Sequence, residues 1–334
     1  MRCLPPTDLI DRASEPMMSP QKSNVFRGQP FTLLDGGTGR ELLRIGAPFR
    51  QPEWSALALI EAPEFVSRVH QRYIDAGADV ITTNSYAIVP FHIGAERFAQ
   101  QGASLAALAG RLARESADRA PHPVKVAGSL PPVCGSYRPD LFAAAVARPV
   151  LQLLRASLEP YVDIWLSETV GSIAEVDLMA EVLSPRKHPW WVSYTLEDEK
   201  VAPGPGRLRS GEPVGEAAVR AAALGASAVL FNCCQPEVIG SALAEARRAL
   251  TPGKDGAGHA GVQLGAYANA FGPQSHEAAA NEELSTLRRD LGPDEYLHWV
   301  RQWLEAGAGL VGGCCGVGPE HIRAIHDSAG RIAG

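Results

Sequence analysis

The sequence predicts an α/β protein built as a single (β/α)8 TIM barrel, and three observations carry that expectation. Short, β-rich apolar runs recur eight times along 334 residues. Segments with helical spacing separate them, and the runs end in polar residues or thiols. Strands that are apolar almost throughout belong to a parallel sheet covered by helices. Eight such units favour a barrel over an open, doubly wound sheet. The doubly wound alternative calls for a phosphate loop after the first strand. Gly36-Gly37-Thr38-Gly39 is glycine-rich but has neither the G-x-G-x-x-G spacing nor a P-loop lysine.

In chain order the runs are 31–34, 80–83, 124–127, 162–166, 191–195, 228–231, 262–267 and 310–311. Helical spacing marks 64–76, 105–119, 151–159, 174–183, 216–224, 236–250, 294–306 and 319–332. Three of these helices run into glycine-alanine turns at Gly77-Ala78, Gly225-Ala226 and Gly307-Ala308. There a left-handed glycine satisfies the last helical carbonyls. A barrel places its functional residues where strands end. The first run ends in Asp35, the second in Asn84 and Tyr86, the third in Gly128-Ser129, the fourth in Glu168-Thr169. The fifth ends in Tyr194 and Asp198, the sixth in Asn232-Cys233-Cys234, the seventh in Tyr267 and Asn269, the eighth in Cys314-Cys315.

Composition narrows the function. Apolar residues make up 46% of the chain and the net charge is −6. No basic block or basic stripe appears, which argues against a nucleic-acid partner. No stretch reaches the roughly 20 apolar residues of a membrane helix. Residues 1–27, with Pro5-Pro6, Asp8, Asp11 and Glu15, read as a disordered extension without a secretory h-region. The barrel domain is assigned to 28–334. Six cysteines in a long chain suit a reducing cytoplasm better than a disulfide framework.

The cysteines are the sharpest signal. Gly312-Gly313-Cys314-Cys315 and Asn232-Cys233-Cys234 close two different runs. Thiolates gathered from separate strands are a zinc-site composition, and three of them leave one tetrahedral position open. Cys234 follows Cys233 on a strand and points away. Cys3 and Cys134 belong to no converging set and read as inert small hydrophobes. Nine histidines show no His-x-x-x-His spacing, and His321 and His326 are expected on the surface of the last helix.

Together, Asp35-Gly36-Gly37-Thr38-Gly39, the segment from Gly77 through Thr82-Thr83-Asn84-Ser85-Tyr86, Glu168-Thr169, Asn232-Cys233 and Gly312-Gly313-Cys314-Cys315-Gly316 resemble the homocysteine S-methyltransferase family. The likeness runs from Phe31 to the C-terminus. It implies a zinc-dependent barrel that methylates the homocysteine thiol to methionine. By match, Cys233, Cys314 and Cys315 are the zinc ligands, while Asp35 and Glu168 hold the substrate ammonium. Alanine stands at Ala268 where many relatives carry proline. The segment Ser136-Tyr137-Arg138-Pro139-Asp140 marks a subgroup whose donor the sequence does not assign.

The chemistry fits these residues. A free thiol has a pKa of about 8.5, and zinc removes its proton outright. An onium donor leaves as a neutral molecule, so no acid is needed and alignment suffices. Backbone N–H groups at Gly36, Gly37 and Thr38 are candidates for the substrate carboxylate. Tyr86 is a candidate wall for a small cationic methyl donor. S-methylmethionine or S-adenosylmethionine ranks ahead of a betaine, because a thioether leaves better than an amine. Two further readings stand beside this one. One keeps the zinc chemistry with a betaine donor or another thiol or selenol acceptor. The other is a non-catalytic zinc or thiol-redox protein.

Overall fold

A computed structural model describes residues 22–199, 206–252, 259, 261–273 and 286–333. The chain begins with β1 (Lys22–Phe26), β2 (Gln29–Leu33), α1 (Thr38–Arg44), α2 (Ser55–Glu61) and α3 (Pro63–Asp75). It continues with β3 (Val80–Thr82), α4 (Pro90–Ile93), α5 (Ala95–Asp118), β4 (Lys125–Leu130), α6 (Ala144–Leu158), β5 (Ile164–Val170) and α7 (Ile173–Leu183). Then come β6 (Trp190–Tyr194), α8 (Val214–Ala223), β7 (Ala228–Asn232), α9 (Pro236–Leu250), β8 (Gln263–Tyr267), α10 (Pro293–Glu305), β9 (Leu310–Val311), α11 (Pro319–Ser328) and β10 (Gly330–Ala333). Every run expected to be a strand is one, with ends shifted by a few residues.

The strands form one sheet in the order β10-β1-β2-β9-β8-β7-β6-β5-β4-β3. From β2 to β3 all neighbours are parallel. The fold is therefore α/β with a curled, mostly parallel sheet. Its curl brings the two ends of the parallel run together. Leu34, just past β2, bridges to Val80, and Asp35 N–H donates to the Val80 carbonyl at 3.0 Å.

Both faces of the sheet are buried, which is why its strands are apolar throughout. Leu34, Val80, Ile164, Leu166, Leu230 and Leu310 pack together on the concave face. The alternate residues Ile81, Trp165, Val229 and Phe231 join the larger core under the helices. Gly77, Gly225 and Gly307 all have positive φ, as expected of their turns. The N–H of the following alanine closes back onto the helix, as Ala78 does to the Tyr73 carbonyl at 3.1 Å.

Three expectations need correction. The extension assigned to residues 1–27 overlaps β1, which pairs antiparallel with both β2 and β10. Residues 22–26 therefore belong to the sheet, and 1–21 lie outside the described residues. The last helix stops at Ser328, because Ala329 is extended and the chain enters β10. His321 is buried, not on the surface: Nδ1 accepts from the Gly318 N–H and Nε2 bonds the Leu291 carbonyl, both at 3.1 Å. Among the described residues no helix is long and apolar enough to cross a membrane.

The end of the sheet away from the strand carboxyl termini is tied by aspartates placed just before strands. Asp79 Oδ2 accepts from the Leu33 N–H at 2.8 Å and from Asn24 Nδ2 at 2.9 Å, linking β1, β2 and β3. Asp163 Oδ2 does the same for the Val126 N–H at 2.8 Å. Asp79→Ala would leave the buried Leu33 N–H without that partner. It is expected to cost about 1–3 kcal/mol, read as a lowered urea midpoint. An unchanged midpoint would mean that the strand ladder alone fixes this seam.

Candidate functional site

One pocket opens where the parallel strands end. Asp35, Gly36, Gly37 and Thr38 line it, with Thr82, Asn84, Tyr86, Glu168, Thr169, Cys233, Tyr267, Cys314 and Cys315. All nine residues expected to hold substrate or metal are therefore gathered in one place.

The thiols sit together because backbone, not side chains, aligns their loops. Beyond β7 and β9 the two cysteine segments flank the end of β8. Cys233 N–H donates to the Tyr267 carbonyl at 3.4 Å and Cys314 N–H to the Ala268 carbonyl at 2.8 Å. The chain turns sharply at Cys233, whose φ is 53°. A left-handed backbone is costly for a non-glycine residue and marks a position fixed by its surroundings. The side chain of Asn232 braces the turn by accepting from the Thr169 N–H and from Ser193 Oγ at 2.7 Å, and by donating to Thr169 Oγ1 at 2.8 Å.

Cys233 Sγ lies 2.9 Å from Cys314 Sγ and 3.8 Å from Cys315 Sγ, and all three sulfurs fall within 4.8 Å of one another. Tetrahedral zinc with bonds near 2.3 Å separates its sulfurs by about 3.8 Å. The Cys233–Cys315 separation matches that spacing and the Cys233–Cys314 one is shorter; the donor set fits a soft metal ion. Shared hydrogen bonding with Cys314 and Cys315, and a bond from the Tyr137 hydroxyl, holds Cys233 well below the ordinary thiol range. Sharing with Cys233 pushes the other two up. Cys234 stays outside the cluster, packed in the helix-side core. Cys134 is half-buried and apart from it. Cys3 lies outside the described residues.

The two carboxyls occupy the same pocket in different ways. Asp35 takes both of its bonds from Thr82, from the N–H at 2.7 Å and from Oγ1 at 3.0 Å. Glu168 Oε2 accepts from Ser129 Oγ at 2.7 Å. Burial pushes each up to about 7, and the two negative charges oppose one another across the pocket. Both are primed to release protons when a cation arrives.

The glycines have a different task from the one expected. The Gly37 N–H is committed to the Val317 carbonyl at 2.9 Å, so it does not face a substrate carboxylate. A Cβ on Gly37 would stand 2.5 Å from the Cys314 carbonyl oxygen, and one on Gly36 2.4 Å from that of Val317. Only bare backbone lets the loop after β2 lie against the cysteine loop.

Several strand-end residues point elsewhere. Tyr194 donates to the Ala217 carbonyl on α8, Asn269 is buried behind the pocket, and Asp198 pairs with Arg209. Sequence reasoning missed Trp54, Tyr137 and Trp191, which also line the pocket. Trp54 stands edge-on to Tyr86 at 6.3 Å and has a φ of 51°. Its signal was faint: one aromatic in a proline-flanked loop.

A parallel α/β sheet that delivers three thiols and two carboxyls to one pocket defines an enzyme with a place for a soft metal. The family model for homocysteine S-methyltransferase matches residues 32–329, and the chain belongs to that family. Homocysteine S-methyltransferase 1 from Zea mays is 29% identical, covering 90% of this chain and 95% of its own. Selenocysteine Se-methyltransferase from Brassica oleracea var. italica is 24% identical over 89% of this chain and 88% of its own. The metallated homocysteine methyltransferase MmuM from Escherichia coli superimposes with a TM-score of 0.68 at 27% identity, covering 90% of this chain and 96% of that one. MmuM is also known in oxidised and apo forms.

Burial raises Glu175 to about 7 as well. Asp35, Glu168 and Glu175 have ordinary values of 3.8, 4.5 and 4.5. Between about pH 4 and 7 the folded chain therefore holds more protons at these groups than the unfolded chain. Their contribution to the stability of the metal-free protein should be fully present below pH 4, fall as pH rises to 7, and level off above it. Urea titrations across that range check it; a contribution that rises towards pH 7 would contradict the burial of these acids.

Proposed function

We propose that the chain moves a methyl group from a small cationic donor to the thiol of homocysteine, giving methionine, with zinc held by Cys233, Cys314 and Cys315. One observation carries this reading: three thiols from two strand ends meet in the pocket that also holds two buried carboxyls. The pairing suits an amino acid that carries a thiol. We read the curled sheet as a closed (β/α)8 barrel, supported by the Leu34–Val80 bridge. Every site residue then lies at its carboxyl-terminal mouth.

Zinc, when bound, supplies a position at which a substrate thiol loses its proton and keeps its nucleophilicity. The remaining work falls to the chain. Asp35 and Glu168 accept the substrate ammonium by charge-assisted hydrogen bonds, and Thr82 and Ser129 aim them. Gly36 and Gly37 place that acceptor site against the cysteine loop, while the N–H groups of Gly36 and Thr38 remain the candidates for the carboxylate. Tyr86 and Trp54 form an aromatic corner for the donor cation. The substrate thiolate attacks the donor methyl in line. A carbon–sulfur bond forms to homocysteine, the donor's bond to its methyl breaks, and the donor leaves neutral with the electron pair. A sulfonium, S-methylmethionine or S-adenosylmethionine, gives a better leaving group than glycine betaine. The selenocysteine-directed relative favours a second reading in which a selenol replaces the thiol.

Incubation with homocysteine or selenocysteine and each donor, with mass-spectrometric detection of the methylated product, tests both readings. Methionine from a sulfonium donor is expected. Product from glycine betaine alone would overturn the donor ranking, and no methionine from any donor would overturn the acceptor.

Metal content gives a separate measure. The parent should carry one zinc per chain, and Cys314→Ala should lose it while Cys234→Ala keeps it. Full zinc in Cys314→Ala would sink the three-thiolate site.

Asp35→Asn and Glu168→Gln should retain zinc but weaken homocysteine binding about tenfold or more, the equivalent of about 1.5–3 kcal/mol for a lost charged bond. Calorimetry that finds parental affinity in both would remove the ammonium assignment.

A further inference from the structure

Three loops converge behind Cys233, held by a buried ion pair that the chemistry above does not use. The side chains of Arg209 and Asp198 are 0% and 1% exposed, and Arg209 Nη1 meets Asp198 Oδ1 at 3.1 Å. Glu197 stands 3.9 Å from the same nitrogen. Asp198 also anchors the chain just past the thiols. Its Oδ2 accepts from the Gln235 N–H at 3.1 Å, and its carbonyl accepts from Gln235 Nε2 at 2.9 Å. An ion pair hidden this far from water is costly to assemble and, once assembled, rigid. The pair closes the loop after β6 on itself, and the two Asp198–Gln235 bonds tie that loop to the one after β7.

The Arg209 guanidinium lies over the ring of Tyr137, 5.2 Å from the centroid. Tyr137 comes from a third loop, after β4, and is buried with a φ of 64°. A bulky aromatic seldom adopts that backbone, so its surroundings must impose it. The preceding Ser136 is held by Tyr86, oxygen to oxygen at 2.7 Å. The result of all this fixing is one contact: the Tyr137 hydroxyl donates to Cys233 Sγ at 3.0 Å. No such phenol bond reaches Cys314 or Cys315 among the described residues.

We propose that Tyr137 is a positioning residue for the metal, donating a hydrogen bond to the Cys233 thiolate from beneath the buried Arg209 cation. The proposal rests on reading the three cysteines as the metal site. A cation over the ring draws electron density from the phenol and makes its O–H a better donor. A hydrogen bond to an anionic sulfur is stronger than one to a neutral thiol, so it favours the ligating form of Cys233. It also withdraws charge from that sulfur alone. The three thiolates are then unequal: the phenol lies 3.0 Å from Cys233 Sγ, whereas Cys314 Sγ has only a longer bond from Asn232 Nδ2 at 3.8 Å, so Cys233 is the weakest electron donor. Partners of this kind set both the orientation and the donor strength of a metal ligand.

Tyr137→Phe tests it, because the ring stays under Arg209 and only the hydroxyl is lost. Zinc affinity, measured by competition with a chromogenic chelator, should fall about tenfold. The sulfur-to-metal charge-transfer band of the cobalt(II)-loaded variant should move to lower energy, because the Cys233 sulfur regains its electron density. Replacing Tyr137 by 3-fluorotyrosine, a more acidic phenol of nearly the same shape, should move the band to higher energy. A residue that merely packs the loop would shift neither band. An unshifted band in both proteins, whatever the affinity, overturns the proposal. A parent protein that binds neither zinc nor cobalt(II) overturns the metal site itself, and the proposal with it.

Discussion

The site depends on two stretches of backbone lying closer than side chains permit. Gly36-Gly37 and Gly312-Gly313 face each other across the junction of β2 and β9. A Cβ on Gly312 would stand 2.6 Å from that of Leu34, and one on Gly313 2.1 Å from Val317 Cγ1. Tyr73 locks the junction from the α3 side, its hydroxyl lying 3.1 Å from the carbonyls of Gly37 and Val317. This contact sets the distance from the carboxyl of Asp35 to the thiols of Cys314 and Cys315. A side chain on Gly36, Gly37 or Gly312 would push the amino-acid end of the pocket away from the sulfur end, and one on Gly313 would meet Val317 of its own loop.

Electrostatics builds on that spacing. Two carboxyls and three thiols share a pocket whose other polar and aromatic lining is mainly rings and hydroxyls. Burial keeps the acids near neutrality until something positive arrives. An ammonium group and an onium methyl donor are both positive, and so is a metal ion. The same low-dielectric pocket therefore favours each of the three components of the proposed reaction, and a neutral amino-acid analogue without a cation gains little from it.

Much of this was legible in the sequence because it is local. Strand runs, helix spacing and the Gly-Ala turns each depend on neighbours a few residues away, and the thiols stand out by composition. What was not legible depends on distant partners. The segment 330–333 continues the apolar rhythm of α11, and only its pairing with Lys22–Val25 makes it a strand. The same pairing brought residues 22–26 into the sheet. Gly37 read as a donor for substrate, yet its N–H is taken by Val317, 280 residues further along the chain. Tyr137 stands out in the sequence only as part of the segment 136–140; its place beside Cys233 emerges only when three loops are packed around Arg209.

The order in which the thiols leave the ribosome follows from their positions. Cys233 precedes Cys314 by 81 residues. At synthesis rates of about 5–20 residues per second, the nascent chain carries Cys233 without its two partners for roughly 4–16 s. The loop contact that gathers them needs β9, the last parallel strand to be made. Assembly of the three-thiol cluster is thus a closing event of biogenesis, and until then Cys233 stands at the end of β7 without the two sulfurs it meets in the fold.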